Sequence, residues 1–372
     1  MKKILFFIPT LSGGGAEKVL VNLVNNLNRE KYEVTVLTLF DTGINKKYLA
    51  KHIHYKFIFK RLFRGNTVIF RLFSPEFLAR KFIGQERYDI AISFLGSPAT
   101  RIIAALDDDT KKIQWIHNEY SDENEFLKCY SSKKEFIKLQ NNFDRVIYVA
   151  ETVKSGFHNL FPELKLSEEI LYNPIDTDSI RKLSEEKSLY IKKSPIGFHI
   201  VSVGRLHPQK GYSRLLDVMS KVINMYPQVT LEILGEGELR GELEQKIKAL
   251  GLQDNIKLIG YHENPYARVK SADLFICSSL HEGFSTAVTE ALIVNTPVLT
   301  TDCSGMKELL GKNNEYGMIV ENSESGLYEG LMNLLKNPEK LEKYKHMAQL
   351  KSDSFDLNYR MEKIEQMLDS LL

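Results

Sequence analysis

Three cysteines scattered over 372 residues cannot organise this chain. Cys129, Cys277 and Cys303 are odd in number and far apart. They form neither a disulfide framework nor a metal-ligand spacing, so a reducing cytoplasm is the natural setting. An excess of one charge is also missing. Fifty Lys and Arg against 48 Asp and Glu leave a net charge of +2, which gives no whole-chain argument for nucleic acid. No hydrophobic run approaches the length that crosses a bilayer. The apolar stretch Ile4 to Pro9 is too short for a signal-peptide core and passes directly into Gly13-Gly14-Gly15.

What is present is an ordinary globular composition, 43% hydrophobic and 26% charged, in a chain long enough for two cores. Apolar runs of strand length alternate with helical patterns from end to end, which argues for parallel sheets covered by helices. Ile4–Pro9, Glu33–Leu39, Asp89–Phe94, Lys112–His117 and Arg145–Ala150 read as buried strands, with helices at Ala16–Leu27 and Glu123–Gln140. Phe198–Gly204, Thr230–Leu234, Ile256–Gly260, Leu274–Cys277, Val298–Thr301 and Gly317–Val320 repeat the theme. Helices are expected there at Tyr212–Met225, Leu239–Leu250, Ser285–Ile293 and Ser325–Leu335. The fold class is therefore α/β, two Rossmann-like doubly wound domains, with ligands at the carboxyl ends of the strands. The join is expected from Asn173-Pro174-Ile175-Asp176 through the polar stretch Ser184 to Lys193, giving domains 1–180 and 181–354. A last helical pattern in 355–372 needs a partner surface, expected on the N-terminal domain.

Two stretches carry chemistry. Ser278 to Glu290 reads S-S-L-H-E-G-F-S-T-A-V-T-E, with Glu282 and Glu290 eight apart across a glycine turn and a helix start. Backbone N–H groups at a helix N-terminus favour an anion, and two carboxylates can accept hydrogen bonds from hydroxyls. Phosphate beside polyol is the demand of a nucleotide sugar. The second stretch runs from Val201 to Gly211, where Arg205 and Lys210 fall between a strand and a helix. They can grip phosphate as a fork and a point charge, or be two solvated loop cations.

Together, G-R-L-x-x-Q-K-G, the paired glutamates and Pro297-Val-Leu-Thr-Thr301 resemble the family-4 glycosyltransferases of the GT-B fold, as do Gly13-Gly-Gly-Ala-Glu17 and Asn173-Pro-Ile-Asp176. The resemblance covers nearly the whole chain. It is most specific from Val201 to Leu310 and weakest from Asp41 to Lys81. It implies two domains facing across a cleft and a retaining, metal-free, cofactor-free transfer of a hexose or N-acetylhexosamine. The implied donor is a UDP-sugar, with GDP-sugar as the second candidate. The implied acceptor is an oligosaccharide or lipid-linked glycan of bacterial capsule, lipopolysaccharide or other surface polysaccharide. Arg205 and Lys210 would hold the diphosphate, Glu290 the ribose and Glu282 the transferred sugar. Gly283 and the N–H groups of Phe284, Ser285 and Thr286 would face sugar and phosphate, and Gly14 and Gly15 would close over the donor. Many members have glycine where Ser285 stands, and its side chain is expected to narrow the sugar pocket.

Other groups have competing readings. Gly13-Gly14-Gly15 fails the G-x-G-x-x-G spacing, since Lys18 stands where the last glycine belongs. His117 either caps its strand or, as the resemblance implies, lies near the donor sugar. Asp107-x-Asp109 and Asp176-x-Asp178 imitate metal-binding pairs but fall in a polar loop and the linker, where aspartates cap turns and helices. Residues 46–81 carry Lys46, Lys47, Lys51, Lys56, Lys60, Arg61, Arg64, Arg71, Arg80 and Lys81 against Glu76 alone, interleaved with aromatics. Such a surface suits an anionic membrane, single-stranded nucleic acid, or an ordinary solvated face. The transferase context selects the membrane, so the chain is expected on the inner face of the cell membrane as a peripheral protein. The alternatives to a transferase are a non-catalytic sugar-nucleotide-binding subunit and a sugar-nucleotide epimerase.

Overall fold

The computed structural model describes residues 1–63, 65–84, 86–96, 98–120, 122–189 and 197–372. Arg64 of the basic run and residues 190–193 of the expected linker lie outside the described residues. The chain divides into two units, Met1–Ile175 with Leu357–Leu372, and Asp176–Asp356.

In the first unit the strands are β1 (Lys2–Ile8), β2 (Tyr32–Phe40), β3 (His54–Phe59), β4 (Ile90–Ser93), β5 (Lys111–Ile116), β6 (Arg145–Tyr148) and β7 (Glu168–Ile170). They form one parallel sheet in the order β3-β2-β1-β4-β5-β6-β7. Ile4 pairs with Val34 on one side and Ile90 on the other, so β1 sits centrally between two directions of winding. The inner strands are continuous apolar runs because helices cover both faces, and Ile4 through Ile8 are buried.

The second unit repeats the plan with β8 (Phe198–Val203), β9 (Val229–Leu234), β10 (Ile256–Gly260), β11 (Leu274–Cys277), β12 (Val298–Thr301) and β13 (Met318–Val320). Their order is β10-β9-β8-β11-β12-β13, all parallel. Helix Tyr212–Met225 turns Leu215, Leu216, Met219, Val222 and Ile223 onto one face, where they join Ile200, Leu231 and Ile233 in the core. Each sheet reverses its winding once, between β1 and β4 and between β8 and β11. Ligands of doubly wound sheets bind outside the carboxyl ends of such neighbours.

Two differences from the sequence reading have local causes. The helical stretch Glu123–Gln140 is two helices, Glu123–Leu127 and Lys133–Gln140. Ser132 restarts the second, its hydroxyl accepting from Glu135 N at 3.1 Å. The weakly read region after Asp41 contains the edge strand β3, whose alternation is blurred because most of it is open to solvent. The helix Leu357–Asp369 lies in the first unit and buries Met361, Ile364, Met367 and Leu368. Glu365 accepts from Asn28 N at 2.9 Å and Asp369 from the Tyr32 hydroxyl at 2.5 Å.

Candidate active site

In the second unit the two motif stretches become neighbours because β8 pairs with β11, Val201 opposite Phe275. Leu280 N donates to Gln209 O at 2.7 Å, Gln209 Nε2 to His281 O at 2.9 Å and the Ser278 hydroxyl to Lys210 O at 2.8 Å. Close approach explains two glycines. Gly211 has φ +64 and a Cβ there would fall 2.2 Å from Ser278 O, while Gly305 has φ +75 and a Cβ would fall 2.4 Å from Gly283 O.

This joined loop pair presents the charged side chains. Lys210 ends the short turn Pro208–Lys210, and its Nζ lies 2.6 Å from Glu282 Oε1. Both side chains are largely buried. Burial is the largest influence on Lys210 and opposes its charge, but the attraction of Glu282 and the hydrogen bond to it outweigh it, so the pKa is raised and the ammonium persists. The Ser279 hydroxyl donates to the same Oε1 at 2.6 Å. Cys277 Sγ lies 4.0 Å from that oxygen, and burial, then Glu282, push its thiol upward so that it stays protonated. Arg205 follows β8 in the loop and is exposed; among the described residues its guanidinium forms no ion pair.

Ser285 is the N-cap of helix Thr286–Ile293, its hydroxyl accepting from Val288 N at 3.4 Å. The hydroxyl is thus turned into the helix end, and Ser285 is buried. The first N–H groups, on Thr286 and Ala287, have no intrahelical acceptor by geometry and mark the positive end of the dipole. Gly283 and Phe284 lead into this cap, and Glu290 lies buried one turn further on. Arg205, Lys210, Glu282, Gly283, Phe284, Ser285, Thr286 and Glu290 therefore all belong to the β8 and β11 loops or the helix they open.

Gly14, Gly15 and His117 belong to the first unit. Gly14 caps helix Gly15–Asn26, and a Cβ on Gly14 would fall 2.2 Å from Glu17 Oε2, because Glu17 folds back to accept from the Ser12 hydroxyl at 2.7 Å. His117 directly follows β5 and is 6% exposed, with its ring 4.3 Å from that of Phe94. Burial lowers its pKa to about 3, so the imidazole is neutral. Its Nε2 is buried and has no partner among the described residues. Of the aspartate pairs, Asp176 caps helix Thr177–Ser184 by accepting from Ser179 N at 2.9 Å, a structural use of that side chain.

Sequence reasoning passed over the supports. Ser279 carries no charge, and its reach to Glu282 depends on the turn between them. Thr301 donates to Ser279 O at 2.6 Å. Arg214 Nη2 donates to Ser278 O at 2.8 Å and to Asn322 Oδ1 at 2.5 Å, bracing the loop from a distant part of the chain. The only signal for Arg214 is a cation in the first turn of a helix, where the dipole disfavours it.

The comparisons with known proteins agree with this division. Residues 13–179 match the model described as Glycosyltransferase Family 4, and residues 186–351 the model described as Glycosyl transferases group 1. The chain is similar, at 28% identity over 96% of both chains, to the Campylobacter jejuni N-acetylgalactosamine-N,N'-diacetylbacillosaminyl-diphospho-undecaprenol 4-alpha-N-acetylgalactosaminyltransferase. It is 27% identical, over 92% of this chain and 91% of the other, to an alpha-1,4-N-acetyl-D-galactosaminyltransferase of the same organism whose name specifies a GalNAc-containing PP-undecaprenol. Among solved structures it resembles Anabaena HepE in complex with UDP-glucose, at a TM-score of 0.78 and 21% identity over 100% of both chains, a likeness of fold.

Proposed function

We propose that this chain, which belongs to the family-4 glycosyltransferases of the GT-B fold, moves a hexose or N-acetylhexosamine from a UDP-sugar to a lipid-linked bacterial surface glycan. The observation that carries the reading is the grouping of Lys210, Glu282 and a helix N-terminus at the reversal point of the second sheet, with Arg205 on the adjoining loop. A diphosphate is the ligand that this set of cations and free N–H groups suits. The paired carboxylates suit hydroxyls, Glu290 those of the ribose and Glu282 those of the sugar. The two Campylobacter relatives, both named for undecaprenol-linked acceptors, support the acceptor class, and the UDP-glucose complex of a protein of like fold supports the donor class.

Retention at the anomeric carbon requires a covalent intermediate or attack from the face the diphosphate leaves. We assign front-face attack through an oxocarbenium-like transition state. Glu282 Oε1 already receives Lys210 and Ser279, which favours a role in holding the sugar over one as nucleophile. Negative charge grows on the departing diphosphate, and fixed donors that meet it there lower the barrier without reorganising. Arg205, Lys210 and the helix N-terminus after Ser285 fill that part. Two side-chain cations supply the positive charge for which other sugar transferases recruit a divalent ion, so we assign no metal and no cofactor. Neutral His117, with Nε2 unpartnered, can give or take a hydrogen bond without adding charge. Among the described residues no helix is long and apolar enough to cross a membrane, and we assign the enzyme to the cytoplasmic side of the membrane that carries its acceptor.

The test is a panel of UDP- and GDP-sugars scored by thermal shift and by slow donor hydrolysis, on the wild type and Lys210→Ala. A UDP-sugar should stabilise and be hydrolysed by the wild type. The variant should lose about 3 kcal/mol of barrier lowering, roughly a hundredfold in rate. Near-normal turnover by the variant would remove Lys210 from the mechanism.

A further inference from the structure

The basic, aromatic stretch 46–81 separates into two parts with different physics. Its first part is ordinary edge-strand surface. Lys46 pairs with Asp41 at 2.6 Å and lies 4.4 Å from the Tyr55 ring centre, and Lys56 pairs with Glu86. The second part, Lys60 to Phe82, behaves otherwise. Helices Asn66–Arg71 and Pro75–Phe82 are fastened from inside, through Phe70 and Phe82, whose rings lie 5.9 Å apart and pack with Phe59 and Phe63. The Arg101 Nη1 group also donates to Phe70 O at 2.7 Å.

With the inner faces so used, the outer faces keep large apolar side chains in water. Leu62 is 64% exposed, Leu72 77%, Phe73 45% and Phe77 51%, and the rings of Phe73 and Phe77 stack at 5.5 Å. Single exposed apolar residues are common, but a run of them on adjoining turns marks an interaction site. Cations are interspersed with the run along the chain. Arg61, Arg71, Arg80 and Lys81 are exposed, none forms an ion pair among the described residues, and Glu76 is the one acid between positions 60 and 85. Exposed apolar side chains interspersed along the chain with unpaired charge of one sign are complementary to a surface with a greasy interior and an anionic rim.

We propose that Lys60–Phe82 docks this enzyme on an anionic lipid bilayer. Leu62, Leu72, Phe73 and Phe77 enter the boundary between head groups and acyl chains, while Arg61, Arg71, Arg80 and Lys81 meet lipid phosphates. The inference rests on the lipid-linked acceptor of the proposed function for its purpose, and on the surface itself for its observations.

Flotation of the full chain with vesicles of phosphatidylcholine, alone and mixed with phosphatidylglycerol, tests it. The wild type should float with the anionic vesicles and stay behind with the neutral ones. The variants Leu72→Ser with Phe77→Ser, and Arg71→Glu with Arg80→Glu, should each lose about tenfold or more in partition, with hydrolysis of the soluble UDP-sugar unchanged. Failure of the wild type to float would overturn the proposal, as would variants that float like it. Self-association, or binding of a single-stranded oligonucleotide, that these variants abolish while flotation persists would overturn it in favour of another occupant. Flotation without any donor hydrolysis would instead contradict the proposed function and leave the docking surface standing.

Discussion

Glu282 Oε1 receives two donors, Lys210 Nζ and the Ser279 hydroxyl, each at 2.6 Å, and this sharing decides how the carboxylate can act. One oxygen is fixed, so the orientation of the other is fixed with it. Ser279→Ala should cost about 1.4 kcal/mol in positioning, roughly tenfold in kcat, with KM little changed. A purely structural serine would lower stability and leave kcat per folded molecule intact. His117 makes a second prediction. Its folded pKa of about 3 lies below the ordinary value of 6.5, so the unfolded chain takes up the proton first. Stability from this residue is full above 6.5 and is lost as pH falls toward 3. His117→Phe, which keeps a ring beside Phe94, should flatten the dependence of Tm on pH across that interval; an unchanged slope would contradict the buried neutral ring. The sequence exposed Arg205, Lys210, Glu282 and Glu290 through charge and spacing. It hid Ser279 and Arg214, because a serine's partner depends on a rotamer and Arg214 grips the carbonyl oxygens of Ser278 and Ser279, which no side-chain pattern records.

At the scale of elements, legibility followed burial. Leu274–Cys277 and Val298–Thr301, inner strands buried throughout, are readable to the residue, since a strand covered on both faces breaks its apolar run little or not at all, whereas Ile256–Gly260 is readable although it stands at a sheet edge with Lys257 exposed. β3 and β7 stand at the two edges of their sheet, and neither was legible, because an edge strand that is half open loses that signature. The helix Leu357–Asp369 is legible as an amphipathic stripe with its partner expected on the N-terminal domain, but the particular residues that receive it, Asn28 and Tyr32 among them, are not, since they stand more than three hundred positions earlier. Ile364 is 1% exposed within that contact. Ile364→Ala should therefore cost about 3 kcal/mol of first-unit stability through the cavity it leaves. Trp115 is the chain's single tryptophan and lies buried in the first unit, so its fluorescence during urea unfolding reports that unit alone. The transition should move to lower urea; an unmoved midpoint would mean that the helix adds nothing there.

For the whole molecule, the divisions agree. The second unit begins at Asp176, and the two family models meet between residues 179 and 186. Each unit winds a parallel sheet outward from one reversal point, and every residue assigned to the donor in the second unit lies on the loops leaving β8 and β11 or on the helix that follows. The net charge of +2 conceals local asymmetry, a basic, apolar segment at Lys60–Phe82 and a cation–carboxylate pair at Lys210 and Glu282. Our central claim is that these parts make a metal-free, retaining transferase of a UDP-sugar. The most direct measurement is transfer from a UDP-N-acetylhexosamine to a lipid-diphosphate-linked glycan in excess chelator, with the anomeric configuration of the product read by NMR coupling. The account predicts an undiminished rate and an α-linked product, and a β-linked product or a reaction that stops with the chelator would contradict it.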